Sequence, residues 1–158
     1  MTYIQILVKL RKVLRAINLE SKKIQKKHGI SIPQLLCLQF LADSPDYTSS
    51  ATKIKDFLML NASTVSGIIS RLESKGLIAR LPNRLDKRGT LITLTAKGAV
   101  LLQHTPDTLQ AKLSRRLTDL SPKEAQNLND TIDLLVEIMG ANDVDIVDSE
   151  IAESIDGQ

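Results

Sequence analysis

Two hydrophobic periods follow one another between Asn61 and Thr95. In the first, apolar residues recur at i, i+3, i+4 and i+7, the period of an amphipathic helix: Val65, Ile68, Ile69 and Leu72. Asn61 is a residue type that caps the start of a helix, and Gly76 is one that ends it. Residues 77–81 and 90–95 favour strands on either side of a polar turn. The pattern predicts a helix followed by a β-hairpin.

Three further helices are predicted before Asn61. Residues 3–27 have a helical apolar period with a strongly basic opposite face, and Gly29 ends this helix. The sequence SIPQ at 31–34 combines a cap residue, a proline in the first turn and a capping-box glutamine. A short helix at about 50–59 then leads through a tight link into the Asn61 helix. Two short helices joined in this way predict a helix-turn-helix, in which the second helix reads DNA.

The chain after the hairpin is also predicted to be helical. Thr95 can cap a helix that Pro106 interrupts, and regularly spaced leucines resume at Leu109. The clearest helix start in the sequence is SPKE at 121–124, with a cap residue, a proline and a glutamate in order. The helix after it carries a coiled-coil-like seam, which Gly140 closes: Ala125, Leu128, Ile132, Leu135 and Met139.

The predicted fold class is mainly α with a small β-hairpin wing (α+β). Residues 1–140 form a single domain, with a winged helix-turn-helix at about 31–95 and dimerisation helices at 1–28 and 96–140. The apolar stripes of the terminal helices exceed what the small central part can cover, so we expect a homodimer. A two-fold dimer would place two reading helices roughly 34–36 Å apart on a palindromic operator. The alternative is a monomeric helical domain with one core.

Charge is divided unevenly along the chain. The 158 residues carry a net charge of +3, but residues 141–158 contain six acids and no base. Removing these six from the 18 acids leaves 12 against 21 bases, so residues 1–140 carry +9. The basic part predicts a polyanionic partner, and the acidic segment 141–158 is expected to be a flexible tail. We expect a cytoplasmic protein without membrane contact, because no apolar run reaches roughly 20 residues and no secretion signal is recognisable.

The sequence offers little catalytic chemistry. The single Cys37 lies in an apolar helix and is expected to be a buried small hydrophobe, with a redox-sensing thiol as the alternative. No cysteine–histidine spacing suggests a metal site, and His28 and His104 have no evident partners. We therefore expect no cofactor, no metal and no enzymatic activity.

The candidate DNA-contacting residues form two groups. The helix face opposite the apolar stripe is small and rich in hydroxyls, which suits close approach to a major groove: Ser63, Thr64, Ser66, Gly67, Ser70 and Arg71. The hairpin tip carries three bases that can reach or flank the minor groove: Arg84, Lys87 and Arg88. Asp86 is expected to hold an arginine in place rather than to face phosphate. The alternative is a winged-helix protein-interaction module whose basic faces serve only solubility.

In these features the chain resembles the MarR family of bacterial transcription regulators from residue 1 to 140. The resemblance rests on five motifs in order: STVS at 63–66, RLESKGLI at 71–78, DKR at 86–88, LTAKG at 94–98 and LSPKE at 120–124. It implies a dimeric winged-helix protein that is usually a repressor. It also implies that DNA affinity falls when a small, often aromatic, ligand binds.

Two departures from the family pattern bear on the site. Lys55 stands where the family commonly has alanine, and Met59 stands where it commonly has glycine, so the turn before the reading helix is expected to differ. The chain contains only two tyrosines and two phenylalanines, which makes an aromatic-lined ligand pocket hard to assemble. For that reason no effector site is carried over from the resemblance, and the effector is left unidentified.

Overall fold

The computed structural model of the chain describes residues 2–86, 89–105 and 107–141. These residues fall into two compact units. The helical unit contains residues 2–20 and 107–141, and the winged unit contains residues 21–86 and 89–105. Within the described ranges, no helix has the length and apolar character needed to span a membrane.

The elements of the described residues agree with the predicted fold class, mainly α with a small β-sheet. In chain order they are α1 (Tyr3–His28), α2 (Ile32–Ala42), β1 (Thr48–Ser50), α3 (Ala51–Leu58), α4 (Ala62–Ser74), β2 (Ile78–Pro82), β3 (Thr90–Leu94), α5 (Ala96–His104), α6 (Leu109–Thr118) and α7 (Pro122–Ile138). A 3₁₀ turn at Pro45–Tyr47 precedes β1. α1 begins in the helical unit and ends in the winged unit.

Side-chain capping boxes start two of the predicted helices. At α2, Ser31 Oγ accepts from Gln34 N at 3.3 Å, and Gln34 Oε1 accepts from Ser31 N at 3.4 Å. At α7, Ser121 Oγ accepts from Glu124 N at 3.3 Å, and Glu124 Oε2 accepts from Ser121 N at 2.9 Å. These bonds satisfy backbone N–H groups that have no partner within the helix, so local sequence alone determines where both helices begin. Both predicted starts are confirmed.

The predicted interruption after α5 falls where expected. α5 ends at His104, and α6 starts after Thr108, whose Oγ1 accepts from a backbone N–H of the first turn at 3.0 Å. Pro106, the residue on which that prediction was based, lies outside the described residues. Within the helical unit, Glu20 Oε1 accepts from Leu109 N at 2.6 Å, which ties α1 to the start of α6.

The sheet contains one strand more than the sequence pattern predicts. Its order is β1–β3–β2, and both pairings are antiparallel. β2 and β3 form the predicted hairpin, with Ile78 opposite Leu94, whereas β1 adds Thr48 opposite Thr93 on the other edge of β3. The predicted hairpin is confirmed, and β1 escaped prediction because it has three residues, too few to show an alternating pattern. Thr48 Oγ1 and Thr93 Oγ1 also lie 3.0 Å apart in a side-chain hydrogen bond.

The winged unit encloses a hydrophobic core of its own. The buried apolar side chains come from the winged-unit part of α1, from α2, α3, α4, β2 and β3, and from the turns before α2 and β2: Ile24, Ile30, Leu35, Cys37, Leu38, Leu41, Ile54, Val65, Ile68, Ile69, Leu72, Leu77, Ile78 and Ile92. Phe57, which the apolar pattern places on the inner face of α3, is instead half exposed and stacks on Phe40 with ring centroids 4.6 Å apart. The predicted apolar stripe of α4 is wholly inside this core.

Cys37 is completely buried in α2. Burial raises the pKa of its thiol to about 12, because the apolar surroundings disfavour the thiolate. The reactive form of cysteine is the thiolate, so this side chain packs as a small hydrophobe. The geometry favours the structural interpretation of Cys37 over a redox sensor.

Candidate nucleic-acid interface

The candidate reading helix α4 is fixed at its start and along its inner face. Asn61 Oδ1 accepts from Thr64 N at 2.7 Å and caps the helix as predicted. Val65, Ile69 and Leu72 are buried, so the rotation of α4 about its axis is set by core packing. The opposite face therefore points away from the core, as the sequence pattern requires.

The structure places the six predicted contact residues of α4 on or beside this outer face. Four of them are exposed, whereas Thr64 and Gly67 are half-buried. The exposed residues are Ser63, Ser66, Ser70 and Arg71. A Cβ built on Gly67 would lie 3.5 Å from Arg71 Nη1 and would meet no other side chain closer than 4 Å. The face around Gly67 is thus low and open, with the Arg71 guanidinium above it.

Arg80 on β2 joins this face, and the sequence pattern did not single it out. Its Nη2 donates to Ser70 Oγ at 3.1 Å, and its Nε donates to Glu73 Oε1 at 3.4 Å in a partly exposed ion pair. Ser70 therefore already holds a guanidinium from the neighbouring strand. The partners lie seven and ten residues away in sequence, across a helix end and a turn, so no short-range sequence pattern predicts the contact. The only local signal is an arginine in a strand that adjoins the reading helix.

The turn between α3 and α4 keeps a tight geometry despite Lys55 and Met59. Met59 adopts a left-handed conformation with φ 54°, and its N–H donates to the carbonyl of Lys55. Leu60 N also donates to Lys55 O, at 3.4 Å. A left-handed residue at this position is normally glycine, because a Cβ crowds the following carbonyl and costs roughly 1–2 kcal/mol. The expected difference from the family pattern therefore takes the form of local strain at Met59.

A shallow pocket lies between α3, α4 and β2. It has a volume of about 220 Å³ and is lined by apolar side chains of both helices together with Thr52, Lys55, Ser66 and Arg80. Two basic residues and two hydroxyl-bearing residues thus border one small cavity, next to the face of α4 that carries the predicted contacts. Such a lining suits a small anion with an apolar body.

The wing tip is shaped by its own polar residues. Asn83 Oδ1 accepts from Leu85 N at 3.1 Å, and Gly89 N donates to Asp86 O at 3.1 Å. Arg84 is exposed, as predicted for a DNA contact, and the Leu85 side chain is fully exposed. The predicted contacts Lys87 and Arg88 lie outside the described residues. The role predicted for Asp86, holding an arginine in place, stays a prediction.

Within residues 2–86, 89–105 and 107–141, no group of three histidine, cysteine, aspartate or glutamate side chains could hold a metal ion. The chemistry that the interface offers is instead hydrogen bonding and positive charge. Hydroxyl groups and guanidinium groups are donors that meet phosphate oxygens and the acceptor edges of bases.

The chain is similar in sequence to known transcriptional regulators. The model of the MarR family matches residues 30–90. The transcriptional regulator MgrA of Staphylococcus aureus is 31% identical over 112 residues, which cover 69% of this chain and 71% of that protein. The organic hydroperoxide resistance transcriptional regulator of Bacillus subtilis is 32% identical over 93 residues, 59% of this chain and 62% of that protein.

A solved structure extends the likeness to most of the chain. A MarR family transcriptional regulator from Streptomyces coelicolor, determined in complex with DNA, is 25% identical and superimposes with a TM-score of 0.63. The alignment covers 87% of this chain and 88% of that one, so it includes helices on both sides of the winged part.

Proposed function

Since the chain belongs to the MarR family of transcription regulators, we propose that it binds double-stranded DNA in a sequence-specific manner. This family consists of regulators, not enzymes, in agreement with the expectation from the sequence. The observation that carries the proposal is the outer face of α4, which is low, hydroxyl-rich and held in one rotation by the core. The Streptomyces coelicolor relative solved with DNA supports it.

In the proposed complex α4 lies in the major groove. Ser63, Thr64 and Ser66 near its start would meet phosphates or base edges, since the first turns of a reading helix contact the bases. Gly67 allows the groove wall to come close, and Arg71 above it is the candidate for a bidentate contact with guanine. Ser70 would act together with Arg80, to which it is already hydrogen-bonded.

The wing is proposed to contact the adjacent minor groove. Arg84 is exposed at the described part of the tip, and Lys87 and Arg88 follow it in sequence. The negative potential of a narrow minor groove attracts arginine, so Arg88 is proposed to enter it, with Arg84 and Lys87 on the flanking phosphates. Asp86 is proposed to orient Arg88 from two positions away.

We propose that the functional form is a homodimer. Large apolar side chains remain exposed on the helical unit of the single chain: Tyr3, Ile4, Ile6, Leu7, Val8, Val13, Leu14, Ile17, Leu19, Leu113, Leu117, Leu128, Ile132, Leu134, Ile138 and Met139. Exposed apolar surface of this extent is typical of an interface that a second copy covers. Two-fold symmetry would then match a palindromic operator with half-sites roughly 34–36 Å apart.

We also propose that the protein is a ligand-responsive repressor. A dimer that occupies an operator overlapping a promoter excludes the polymerase from it. The pocket beside Lys55, Ser66 and Arg80 supports the ligand response, because an anion there would compete with DNA phosphate for the same cations. Benzoate, a small aromatic carboxylate, is a suitable probe: it should weaken DNA binding by wild type, and Arg80→Met should reduce that effect.

Selection of DNA tests the main proposal. Fragments of the source genome are incubated with the full chain, retained on a filter and sequenced. We expect enrichment of a palindrome next to a promoter, with retention that falls as salt concentration rises. Retention without any enriched sequence, or no retention at all, would contradict specific binding. The second outcome would favour the winged-helix protein-interaction module instead.

A further inference from the structure

Side-chain hydrogen bonds link the C-terminal end of α4 to two other parts of the winged unit, the end of α1 and the start of α5. Lys75, the residue that ends the helix, donates through Nζ to the carbonyl of Gly29 at the end of α1. Lys97 Nζ donates to the carbonyl of Lys75 at 2.8 Å, and Thr95 Oγ1 donates to the carbonyl of Gly76 at 2.7 Å. The three donors come from two separate stretches of sequence, because Thr95 and Lys97 both lie at the start of α5.

These bonds divide into two kinds. The last carbonyls of a helix have no partner within it, so the bonds from Lys97 and Thr95 act as a C-terminal cap. The bond of Lys75 does not cap its own helix. It reaches a carbonyl 46 positions earlier in the chain, at the glycine whose left-handed conformation (φ 68°) ends α1. Lys75 therefore joins α4 to α1 rather than completing α4.

We infer that Lys75 is a positioning residue that holds α4 at a fixed angle to the end of α1. The inference rests on the proposed DNA binding, because it says how the reading helix keeps the orientation that base contacts require. Core side chains fix the rotation of α4 about its own axis and the depth of its inner face. The Lys75 bond adds a link at the C-terminal end of the helix, on the exposed side that the buried Leu72 does not reach.

The chemistry of the bond suits this role. An ammonium donating to a carbonyl forms a charge-assisted hydrogen bond, which is shorter and stronger than a neutral one. The backbone carbonyl of Gly29 cannot change rotamer, unlike an acidic side chain. Lys75 itself is exposed, so its hydrogen bond, rather than any burial of its side chain, is what holds it against α1.

The test compares Lys75→Met with Lys75→Arg and with Lys27→Met. Methionine keeps the length of the side chain and removes the donor, whereas arginine keeps a charged donor. Lys27 is the matched control: it lies in the last turn of α1, and its ammonium has no hydrogen-bond or ion-pair partner among the described residues. Each variant is titrated on the genomic fragment that wild type selects and on an unrelated fragment, at several salt concentrations.

We expect Lys75→Met to bind the selected fragment about tenfold more weakly, the size of one lost base contact. Its salt dependence and its affinity for the unrelated fragment should match those of Lys27→Met, and Lys75→Arg should behave like wild type. If the slope against salt instead falls by about 0.9 per contact relative to Lys27→Met, Lys75 touches phosphate and the inference is overturned. Unchanged affinity for both fragments, even with a lower melting temperature, also overturns it.

Amide hydrogen exchange without DNA separates this inference from the proposed function. Lys75→Met should exchange faster at 29–31 and 73–77, with the remainder of α4 unchanged, because only the end of the helix is released. Equal exchange in Lys75→Met and wild type would show that the bond holds nothing, whatever the DNA result. If wild type selects no fragment but Lys75→Met exchanges faster at 29–31 and 73–77, the structural role of the Lys75 bond is supported and the proposed function is contradicted.

Discussion

The two units of this chain treat their hydrophobic residues in opposite ways. The winged unit buries its apolar side chains against one another, with side chains such as Leu35, Leu41 and Ile92 completely inaccessible. In the helical unit, α6 and α7 have no buried residue, and Ile132 in the middle of the α7 seam is 48% exposed. The winged unit has a buried core of its own, and the helical unit exposes the apolar surface on which the proposed homodimer rests. Stability in the first should be independent of protein concentration, and in the second it should depend on concentration.

The largest expected effect comes from overfilling the winged unit at Gly98. A Cβ built there would lie 2.3 Å from the backbone oxygen of Leu77 and 2.7 Å from Leu94 Cδ1, so either the backbone at Leu77 or α5 must move. We expect Gly98→Ala to lower the free energy of unfolding by about 3 kcal/mol at every protein concentration. Urea unfolding measures this. Gly67→Ala is the control, since the open surroundings of Gly67 should let alanine stabilise the helix by up to about 1 kcal/mol. Equal behaviour of the two variants would contradict the tight packing of α5.

The second effect should appear only in the helical unit. Ile132→Glu places a charge in the exposed seam of α7, and we expect the dimer to weaken by about 2–4 kcal/mol while the winged unit stays folded. Sedimentation equilibrium measures the association, and circular dichroism the retained helix. Gln126→Glu adds the same charge on the polar face of α7 and should leave the association nearly unchanged. If the wild-type protein sediments as a monomer, the homodimer proposal is wrong.

The third test leaves both units folded and removes a proposed contact. Arg71→Ala should lower affinity for the selected fragment by about 1–3 kcal/mol and relax the preference for one base, if Arg71 reads guanine. Arg116→Ala removes another exposed arginine, from α6, and should change neither affinity nor preference. Filter binding to the selected fragment and to its single-base variants measures both. Similar losses in the two variants would indicate general charge attraction in place of reading by α4.

A smaller effect, in the opposite direction, is expected at Met59. Its left-handed conformation (φ 54°) suits glycine, so Met59→Gly should stabilise the winged unit by about 0.5–1 kcal/mol. Met139, which ends α7 in a right-handed conformation (φ −77°), serves as the control, and Met139→Gly should not increase stability. Thermal unfolding of the two variants makes the comparison. A loss of stability at Met59→Gly would mean that the methionine side chain contributes more than its backbone strain costs.

The smallest effect distinguishes the two capping boxes by pH. Hydrogen bonds from Ser121 lower the pKa of Glu124 below its usual 4.5. The stabilisation of the folded state by the ionised Glu124 carboxylate is therefore present above about pH 4.5. It is lost as pH falls through the lower pKa that Glu124 has in the folded state. Glu124→Ala should reduce stability at neutral pH, and the difference from wild type should shrink in acid. The equivalent residue of the α2 box, Gln34, does not titrate, so the effect of Gln34→Ala should not follow this profile.

Local chemistry explains why much of this fold could be predicted from sequence. Asn61, Ser31 and Ser121 cap helices through bonds to residues three positions away, and such bonds need no knowledge of the remaining chain. The apolar period of α4 likewise states which face is buried. The exposed face of α4 could be named from sequence because it is the complement of that stripe, and its role in reading DNA stays a prediction.

Contacts between distant residues account for what the sequence did not predict. β1 exists because Ser49 pairs with Ile92, and three residues carry no period of their own. The bonds of Arg80 with Ser70, and of Lys75 with Gly29, join positions that only the folded chain brings together. The sequence showed that Met59 departs from the family pattern, but its left-handed backbone conformation became visible only in the folded turn.

The short strand β1 has a mechanical consequence for the whole winged unit. β1 leads directly into α3, and its partner β3 is also the inner strand of the wing, so the chain enters and leaves the helix-turn-helix through the same sheet. A hairpin joined to its module by one edge could swing on a hinge. In this hairpin, β3 is hydrogen-bonded on both edges, to β2 and to β1. Tilting the wing would therefore break the β1–β3 hydrogen bonds next to the start of α3. Helix α4 and the wing are therefore held at a fixed separation, as simultaneous contact with a major groove and the next minor groove would require in the proposed complex.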